Sequence, residues 1–203
     1  MAKVFISDIS SMILPDENSG IFLSLPGYRK DKIHSIRDGE KKKQSFAAAV
    51  LLRYALGTYG ISDADVYLGD KGKPLCPGIF FSLSHSYDKV VCAVCEAHVG
   101  CDIEKIRKAP RERIRRFFTE EEKAFLSAAK DWDKAFFSLW TKKESYIKMT
   151  GEGLTKTLKD FSALDTAGLF KGKQWEKDGY ILSVCCEESI EETLTNVPVD
   201  ELL

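Results

Sequence analysis

The chain has no long hydrophobic run and almost no net charge, and its N-terminus lacks the pattern of a secretory leader. No stretch approaches the roughly eighteen consecutive apolar residues of a membrane-spanning helix, so the sequence predicts no membrane span. The formal net charge is −1, so bulk charge predicts neither a nucleic acid nor a membrane as partner. Residues 1–8 turn polar too soon for a signal peptide and are predicted to form a first strand.

The chain also lacks the repeated Cys-x-x-C units of a zinc site, although it has six cysteines. Cys92 and Cys95 form a single such pair, but they lie inside an apolar run. Residues three apart in a strand face opposite sides, so these two thiols are predicted to diverge. Cys185 and Cys186 lie in a similar run. We therefore expect buried, reduced cysteines and, together with the polar N-terminus, a cytoplasmic protein.

Two acidic residues follow the apolar run Val90–Cys95. If the strand continues through Val99–Glu104, side chains alternate between its faces, so Asp102 and Glu104 point the same way. Two carboxylates that close repel each other unless a cation lies between them. A hard divalent cation such as Mg²⁺ is the common solution, because it binds a few carboxylates and keeps positions for water and phosphate oxygens.

A second motif lies on a predicted helix at 135–149. Phe136, Trp140, Glu144 and Lys148 recur every four residues and form one slowly drifting stripe. The Glu144–Lys148 pair by itself is typical of a solvated surface bridge. A third carboxylate, lysines and a divalent cation are, however, what a phosphoryl-transfer site needs.

With these residues the chain resembles the 4'-phosphopantetheinyl transferases, in particular the long type that activates surfactin synthetase and similar carrier proteins. The resemblance is dense between Gly72 and Leu154 and thin on either side. The matching motifs, in chain order, are Gly72-Lys73-Pro74, Phe81–Ser86, Val99–Lys105, Arg116–Thr119 with Glu122, Trp140–Lys148 and Gly151–Leu154.

The predicted fold is α/β, of the α+β kind, in two halves. Each half has a strand, a helix and a following sheet, and the resemblance implies a pseudo-two-fold pair of similar lobes, each a small, mostly antiparallel sheet packed against helices. We place the N-terminal lobe at residues 1–100 and the C-terminal lobe at residues 101–203. Neither lobe would bury a generous core alone. The site is therefore expected at their junction, a common place for ligand clefts.

The resemblance implies that the first half binds coenzyme A. A cluster of basic residues there is either a solvated face or a phosphate-binding patch, and the family uses cations of this region for the phosphates. Gln44 stands where relatives often have arginine, which leaves the 3'-phosphate contacts open. The implied coenzyme A contacts are Arg29, Lys32 and Lys43, Lys73 and Pro74 on the adenine, Ser84 and His85 on the phosphates, and Lys143.

The segment Lys105–Arg116 is strongly basic in an otherwise balanced chain. It is either a solvated helix face or a docking surface, and the resemblance favours docking of an acidic acyl or peptidyl carrier protein. Thr119 is predicted to cap the next helix, with Glu122 closing a capping box. Glu122 therefore has a structural role and is only a secondary catalytic candidate.

The resemblance implies a reaction in which Mg²⁺ on Asp102, Glu104 and Glu144 binds the pyrophosphate of coenzyme A. A carrier-protein serine then attacks and 3',5'-ADP leaves, with Glu144 as the first choice of base and Lys148, assisted by Lys143, neutralising the phosphate. A base and a metal ligand are conflicting roles for Glu144. Two alternatives stay open, namely another Mg²⁺-dependent enzyme acting on phosphate esters and a non-catalytic module that only binds carrier proteins. A monomer is expected.

Overall fold

The computed structural model describes residues 1–69, 72–151, 158–164 and 171–203, with the side chains of 113–115 excepted. It confirms a mixed α/β fold of small, mostly antiparallel sheets packed against helices. Within the described ranges, no helix is both long enough and apolar enough to cross a membrane.

In the described part of the first half, one strand is followed by three helices and then by four further strands. Its elements are β1 (Lys3–Asp8), α1 (Gly20–Leu23), α2 (Gly27–Ser35), α3 (Gly39–Gly57), β2 (Tyr67–Leu68), β3 (Pro74–Leu75), β4 (Phe80–Ser86) and β5 (Lys89–Cys95). The second half contains β6 (Val99–Lys105), α4 (Ile114–Phe117), α5 (Glu120–Ala128), α6 (Trp132–Thr150), β7 (Gly172–Lys177), β8 (Tyr180–Cys186) and β9 (Thr195–Asn196).

The strands form two main sheets. The four-stranded sheet has the order β4-β5-β1-β9, and the three-stranded sheet has the order β6-β8-β7. Neighbouring strands are antiparallel except β1 and β9, which pair in parallel through Phe5–Thr195 and Ile6–Asn196. The end of the chain therefore completes the sheet of the first half. Strands β4 and β6 are edge strands of their own sheets and lie next to each other.

The long helices begin at side-chain caps. Asp38 accepts a hydrogen bond from Lys41 N at 2.9 Å at the start of α3, and Asp131 accepts one from Lys134 N at 3.0 Å at the start of α6. These bonds satisfy backbone donors that have no partner in the first helical turn. Helix α6 ends at Gly151, whose φ of 69° is the left-handed conformation that glycine adopts without strain. The rest of the predicted glycine turn, residues 152 and 153, lies outside the described part of the chain.

The core has a layer on each side of the four-stranded sheet. One face packs on α3, and the other packs on the three-stranded sheet. Cys92 belongs to the first layer and Cys95 to the second, so the predicted divergence of the Cys-x-x-C pair is confirmed. All six cysteines are free and buried. The three-stranded sheet in turn packs on α6, which places Asp102 and Glu104 between β4 and that helix.

Two local predictions were wrong or incomplete. The sequence of residues 161–164 is typical of a strand, but these residues follow a short 3₁₀ turn at Leu158–Asp160 and pair with no strand. The spacing of apolar residues predicts a helix from Ser45 to Tyr59, whereas α3 begins six residues earlier, at Gly39. The basic run that follows Gly39 is therefore helical. The additional residues at the start of α3 include Lys41, Lys42 and Lys43.

Candidate active site

Strand β6 carries the acidic residues of the site. Asp102 is buried, and Glu104, on the same face, is half-buried. Asp102 Oδ1 accepts hydrogen bonds from Lys148 Nζ at 2.7 Å and Ser84 Oγ at 2.8 Å. Its second oxygen, Oδ2, is buried without a hydrogen-bond partner. A buried carboxylate oxygen without a partner is costly, so this atom is a natural position for a ligand.

Glu104 is held by two side chains that sequence reasoning did not assign to the site. Its Oε2 atom accepts hydrogen bonds from Ser86 Oγ at 3.0 Å and from an Arg107 guanidinium nitrogen at 2.8 Å. Arg107 also lies against the Tyr87 and Phe137 rings, at 5.7 and 4.7 Å from their centroids. The position of Ser86, two residues after Ser84 in a strand, was the sequence signal that could have identified it.

Helix α6 supplies the third carboxylate and the central cation. Lys148 Nζ donates to Asp102, to Ser84 Oγ at 3.1 Å and to Cys101 O at 3.0 Å. Burial disfavours the charged ammonium, but Asp102, Cys101 and Glu144 together outweigh this effect and raise the pKa of Lys148. Burial and the negative charge of Asp102 raise the pKa of Glu144, with a smaller contribution from Glu104 and a counteracting one from Lys148. The pKa of Glu144 therefore depends on the charges of both carboxylates of β6.

Gly100 allows α6 to lie this close to β6. A Cβ atom at this position would be 2.0 Å from Ser145 O and 2.4 Å from Met149 N, far inside contact distance. Only glycine therefore permits this packing. The close approach brings Lys148, on the same stretch of the helix, into hydrogen-bond range of Asp102.

The first half contributes residues from β4 and α2. The pKa of His85 is lowered by desolvation and by the positive charges of Lys148 and Lys32, so these three groups face a common region. The pKa of Lys32 is itself lowered, by burial and by Arg29. Arg29 is 4% exposed, and one of its guanidinium nitrogens is buried without a hydrogen-bond partner. Clustered cations with a lowered pKa indicate a place where an anion would bind.

The other predicted coenzyme A residues are placed less directly. Lys43 forms an ion pair with Glu40 at 2.9 Å, and Lys73 Nζ donates to Lys148 O at 3.2 Å, next to half-buried Pro74. Gln44 donates to Tyr87 O at 2.9 Å. An open cleft of about 460 Å³ is lined by residues of the start of α3, by His85–Asp88 and by Glu104. Of the three predicted metal ligands, Glu104 lines this cleft, opposite residues of the first half.

Lys143 is turned away from this cleft, against the expectation that it contacts phosphate. Its side chain has no exposed surface, forms an ion pair with Glu122 at 2.8 Å, and donates to Leu158 O and Phe161 O at 2.6 Å each. Its three donors are thus used inside the core. Glu122 forms the predicted capping box with Thr119, so its structural role is confirmed.

The residues present fit a hard cation in chemistry, although they are not preassembled around one. Within the part of the chain that the structure describes, no group of three or more His, Cys, Asp or Glu side chains has a metal-holding arrangement. In this arrangement Lys148 supplies the positive charge beside Asp102. The partnerless Asp102 Oδ2 and the like-charge effect on Glu144 are nevertheless what an oxygen-ligated cation would relieve.

Comparison with known proteins gives consistent similarities. The family model described as the 4'-phosphopantetheinyl transferase superfamily matches residues 98–196. The 4'-phosphopantetheinyl transferase Sfp of Bacillus subtilis is 30% identical over 211 residues, which cover 93% of this chain and 94% of that protein. The 4'-phosphopantetheinyl transferase psf-1 of Bacillus pumilus is 43% identical over 97 residues, 45% of this chain and 42% of that protein.

A solved structure is a more distant match. The crystal structure of Thermotoga maritima holo-acyl-carrier-protein synthase has a TM-score of 0.33 and 16% identity, over 44% of this chain and 62% of that one. This similarity is too low to support a conclusion about the fold. The near-full-length match to Sfp and the family model, together with the acidic site described above, show that the chain belongs to the 4'-phosphopantetheinyl transferase superfamily.

Proposed function

We propose that this chain transfers the 4'-phosphopantetheine arm of coenzyme A to a serine of an apo acyl or peptidyl carrier protein, in a magnesium-dependent reaction that releases 3',5'-ADP. Membership of the family supports the transfer. The observation that carries the full proposal is the meeting of Asp102, Glu104 and Glu144 with the ammonium group of Lys148, next to an open cleft that Glu104 lines. Acidic ligands and fixed cations together are what phosphoryl transfer requires.

Coenzyme A is proposed to lie across the cleft with its phosphates towards Lys32, His85 and Lys148. Burial and the charges of Lys148 and Lys32 lower the pKa of His85, which favours its neutral form without ligand, and a bound phosphate would favour its protonated form. Buried Arg29 lies behind these groups, next to Lys32. Lys43 would exchange its exposed partner Glu40 for phosphate at little cost.

The adenine is proposed to pack against the turn that precedes β3. Lys73 and Pro74 are at this turn, and Lys73 connects it to the last turn of α6 through Lys148 O. The nucleotide end of coenzyme A would thus contact both halves of the chain. Gln44, held on Tyr87 O, is a neutral hydrogen-bonding group at the place where a further cation was expected.

A Mg²⁺ ion held by Asp102, Glu104 and Glu144 would supply charge neutralisation and polarisation of the pyrophosphate oxygens. Asp102 would use its partnerless Oδ2. Lys148 is proposed to stabilise negative charge on the phosphate that is transferred, because it is already fixed by three acceptors of the site.

Glu144 is proposed to accept the proton of the attacking serine, directly or through water, as the new O–P bond forms and the bond to 3',5'-ADP breaks. A serine hydroxyl is a weak nucleophile at neutral pH, so this proton must have an acceptor. Glu144 is one helical turn from Lys148, which places acceptor and cation on the same face of α6.

The carrier protein is proposed to dock on the basic segment between β6 and α5. Lys108 and Arg111 are exposed there, and Arg111 lies over the Trp132 ring at 4.5 Å. Phe125 on α5 is 46% exposed and would supply an apolar contact. An acidic carrier domain complements such a surface. We expect a cytoplasmic monomer, which light scattering and fractionation would test.

Intact-mass spectrometry of an apo carrier protein, incubated with the protein, coenzyme A and Mg²⁺, tests the proposal. We expect a gain of one phosphopantetheine arm that disappears with EDTA. Release of phosphate or nucleotide without a mass gain would indicate another enzyme acting on phosphate esters. Coenzyme A binding without any turnover, across several carrier types, would indicate a module that only binds carriers.

Glu144→Gln, with Glu120→Gln on the exposed face of α5 as matched control, tests the assignment of Glu144. We expect a loss of transfer of at least about a hundredfold for the first and no change for the second. Retained Mn²⁺ binding in Glu144→Gln would identify Glu144 as the base, whereas lost binding would identify it as a metal ligand. Near-normal transfer would remove it from both roles.

A further inference from the structure

Three serines alternate along β4 and face β6. Ser82, Ser84 and Ser86 are 7%, 8% and 8% exposed. Their hydroxyl oxygens accept hydrogen bonds from the backbone N–H groups of successive odd-numbered residues of β6. The bonds are Cys101 N to Ser82 Oγ at 3.0 Å, Ile103 N to Ser84 Oγ at 3.4 Å and Lys105 N to Ser86 Oγ at 3.2 Å.

This serine ladder, defined as Ser82, Ser84 and Ser86, joins two edge strands that share no backbone ladder. Strand β8 pairs with only one side of β6, and the buried N–H groups on the other side need acceptors. The hydroxyl groups supply them across the boundary between the two sheets. The alternation of side chains in β4 gives the ladder its two-residue repeat.

A hydroxyl that accepts a backbone N–H still has its own proton to donate. Ser84 donates it to Asp102 Oδ1 at 2.8 Å, and Ser86 donates it to Glu104 Oε2 at 3.0 Å. In both bonds a serine of β4 donates to a carboxylate of β6, and the number of residues between serine and carboxylate is the same. At the corresponding position beside Ser82, β6 has Gly100, which has no side chain, so Ser82 accepts from the strand but holds no carboxylate.

We propose that Ser84 and Ser86 are positioning residues that orient the carboxylates of Asp102 and Glu104 for metal binding. Each hydroxyl is fixed to the backbone of β6 and occupies one oxygen of the carboxylate beside it, which limits how that carboxylate can rotate. In Asp102 the remaining oxygen is the one that is buried without a partner. Because Ser84 gives its proton to Asp102, it acts on the metal site through that residue.

This inference rests on the proposed function, because a metal site is assumed. Hydrogen-bond partners of metal ligands typically contribute about 10–100-fold to metal affinity. Arg107 also holds Glu104, and Lys148 also holds Asp102, so each carboxylate keeps one partner when its serine is lost. We therefore expect the lower end of that range for a single substitution.

The test is Mn²⁺ binding measured by electron paramagnetic resonance, with and without coenzyme A, on the full chain. Ser84→Ala and Ser86→Ala should each weaken Mn²⁺ binding about tenfold, and threonine at either position should restore it. Ser82→Ala is the matched control, since it also removes an acceptor from β6 but no carboxylate partner. It should change Mn²⁺ affinity less than about twofold while lowering thermal stability as the others do.

Several outcomes would overturn the inference. Unchanged Mn²⁺ affinity in folded Ser84→Ala and Ser86→Ala would show that the serines only join the sheets. A loss of Mn²⁺ affinity in Ser82→Ala equal to that in the other two variants would show the same. If the wild-type protein binds no Mn²⁺, there is no metal site for the serines to orient. Failure of the proposed function alone has a different signature, in which Mn²⁺ binds with the predicted dependence on Ser84 and Ser86 but no carrier protein is modified.

Discussion

Gly100→Ala adds one methyl group at the place where β6 passes closest to α6. The new Cβ would be 2.0 Å from Ser145 O and 2.4 Å from Met149 N. Both are backbone atoms within a continuous helix, so no side-chain rotation can relieve the overlap. The strand and the helix must move apart, and the site is built from these two elements.

The required displacement can be worked from these distances. Ordinary van der Waals contact begins at 3.4 Å, so the methyl group demands a separation of about 1.4 Å at Ser145 O. Inserting a methyl group into a packed core costs ~1–3 kcal/mol, and rigid backbone neighbours place Gly100→Ala at about 3 kcal/mol or above. The 2.7 Å contact between Lys148 and Asp102 would open by a similar distance. A misplacement of about 1 Å can reduce turnover ~100-fold.

Urea unfolding followed by tryptophan fluorescence, and the carrier-protein mass assay, measure the two effects. Gly57→Ala is the matched control, because Gly57 lies at the end of α3 and a methyl group there would have no heavy atom within 4 Å. It should change the free energy of unfolding by no more than about 1 kcal/mol. A Gly100→Ala protein with wild-type stability and transfer would refute the argument that this close approach organises the site.

Three further substitutions test other parts of the structure. Lys143→Met should lower the free energy of unfolding by ~3–5 kcal/mol, because it leaves the carboxylate of Glu122 buried without its ion-pair partner. The control Lys123→Met removes a surface ion pair and should lower the free energy of unfolding by under about 1 kcal/mol. Equal losses in the two variants would contradict the core role of Lys143. Lys148→Met should reduce transfer by at least about a hundredfold in the mass assay, and near-normal transfer would exclude it from the reaction. Burial opposes ionisation of Asp8, but hydrogen bonds from Lys89 and Ser10 lower its pKa from 3.8 to about 2. The stability that wild type has over Asp8→Asn should therefore be complete above pH 3.8 and disappear as the pH falls through about 2, and a pH-independent difference in urea titrations would contradict this.

Local periodicity correctly predicted how neighbouring side chains are arranged within one strand or one helix. Strand alternation predicted that Asp102 and Glu104 share a face, and the four-residue spacing predicted that Glu144 and Lys148 do. Both predictions depend only on the regular spacing of side chains within a single strand or a single helix, so they need no tertiary information. The capping box at Thr119 is of the same kind.

The same periodicity could not distinguish neighbouring lysines. Lys142 and Lys143 both lie beside Glu144 in sequence, and Lys143 was expected to reach phosphate. The side chain of Lys143 instead lies in the core, where Glu122 on α5 and two carbonyl groups of the 158–161 segment accept hydrogen bonds from its ammonium group. These partners come from other elements, so helix periodicity alone does not identify them.

The sequence by itself determined the chemical groups of this protein and their local order. The acidic pair on one strand, the acid and lysine one turn apart on one helix, and the motifs of the family are all properties of short segments. Tertiary structure alone decided which segments meet. Ser84 and Ser86 reach β6 from another sheet, Arg107 folds back onto Glu104, and Gly100 admits α6. The physical reason is that such contacts depend on how separate apolar faces pack, which short-range spacing does not specify.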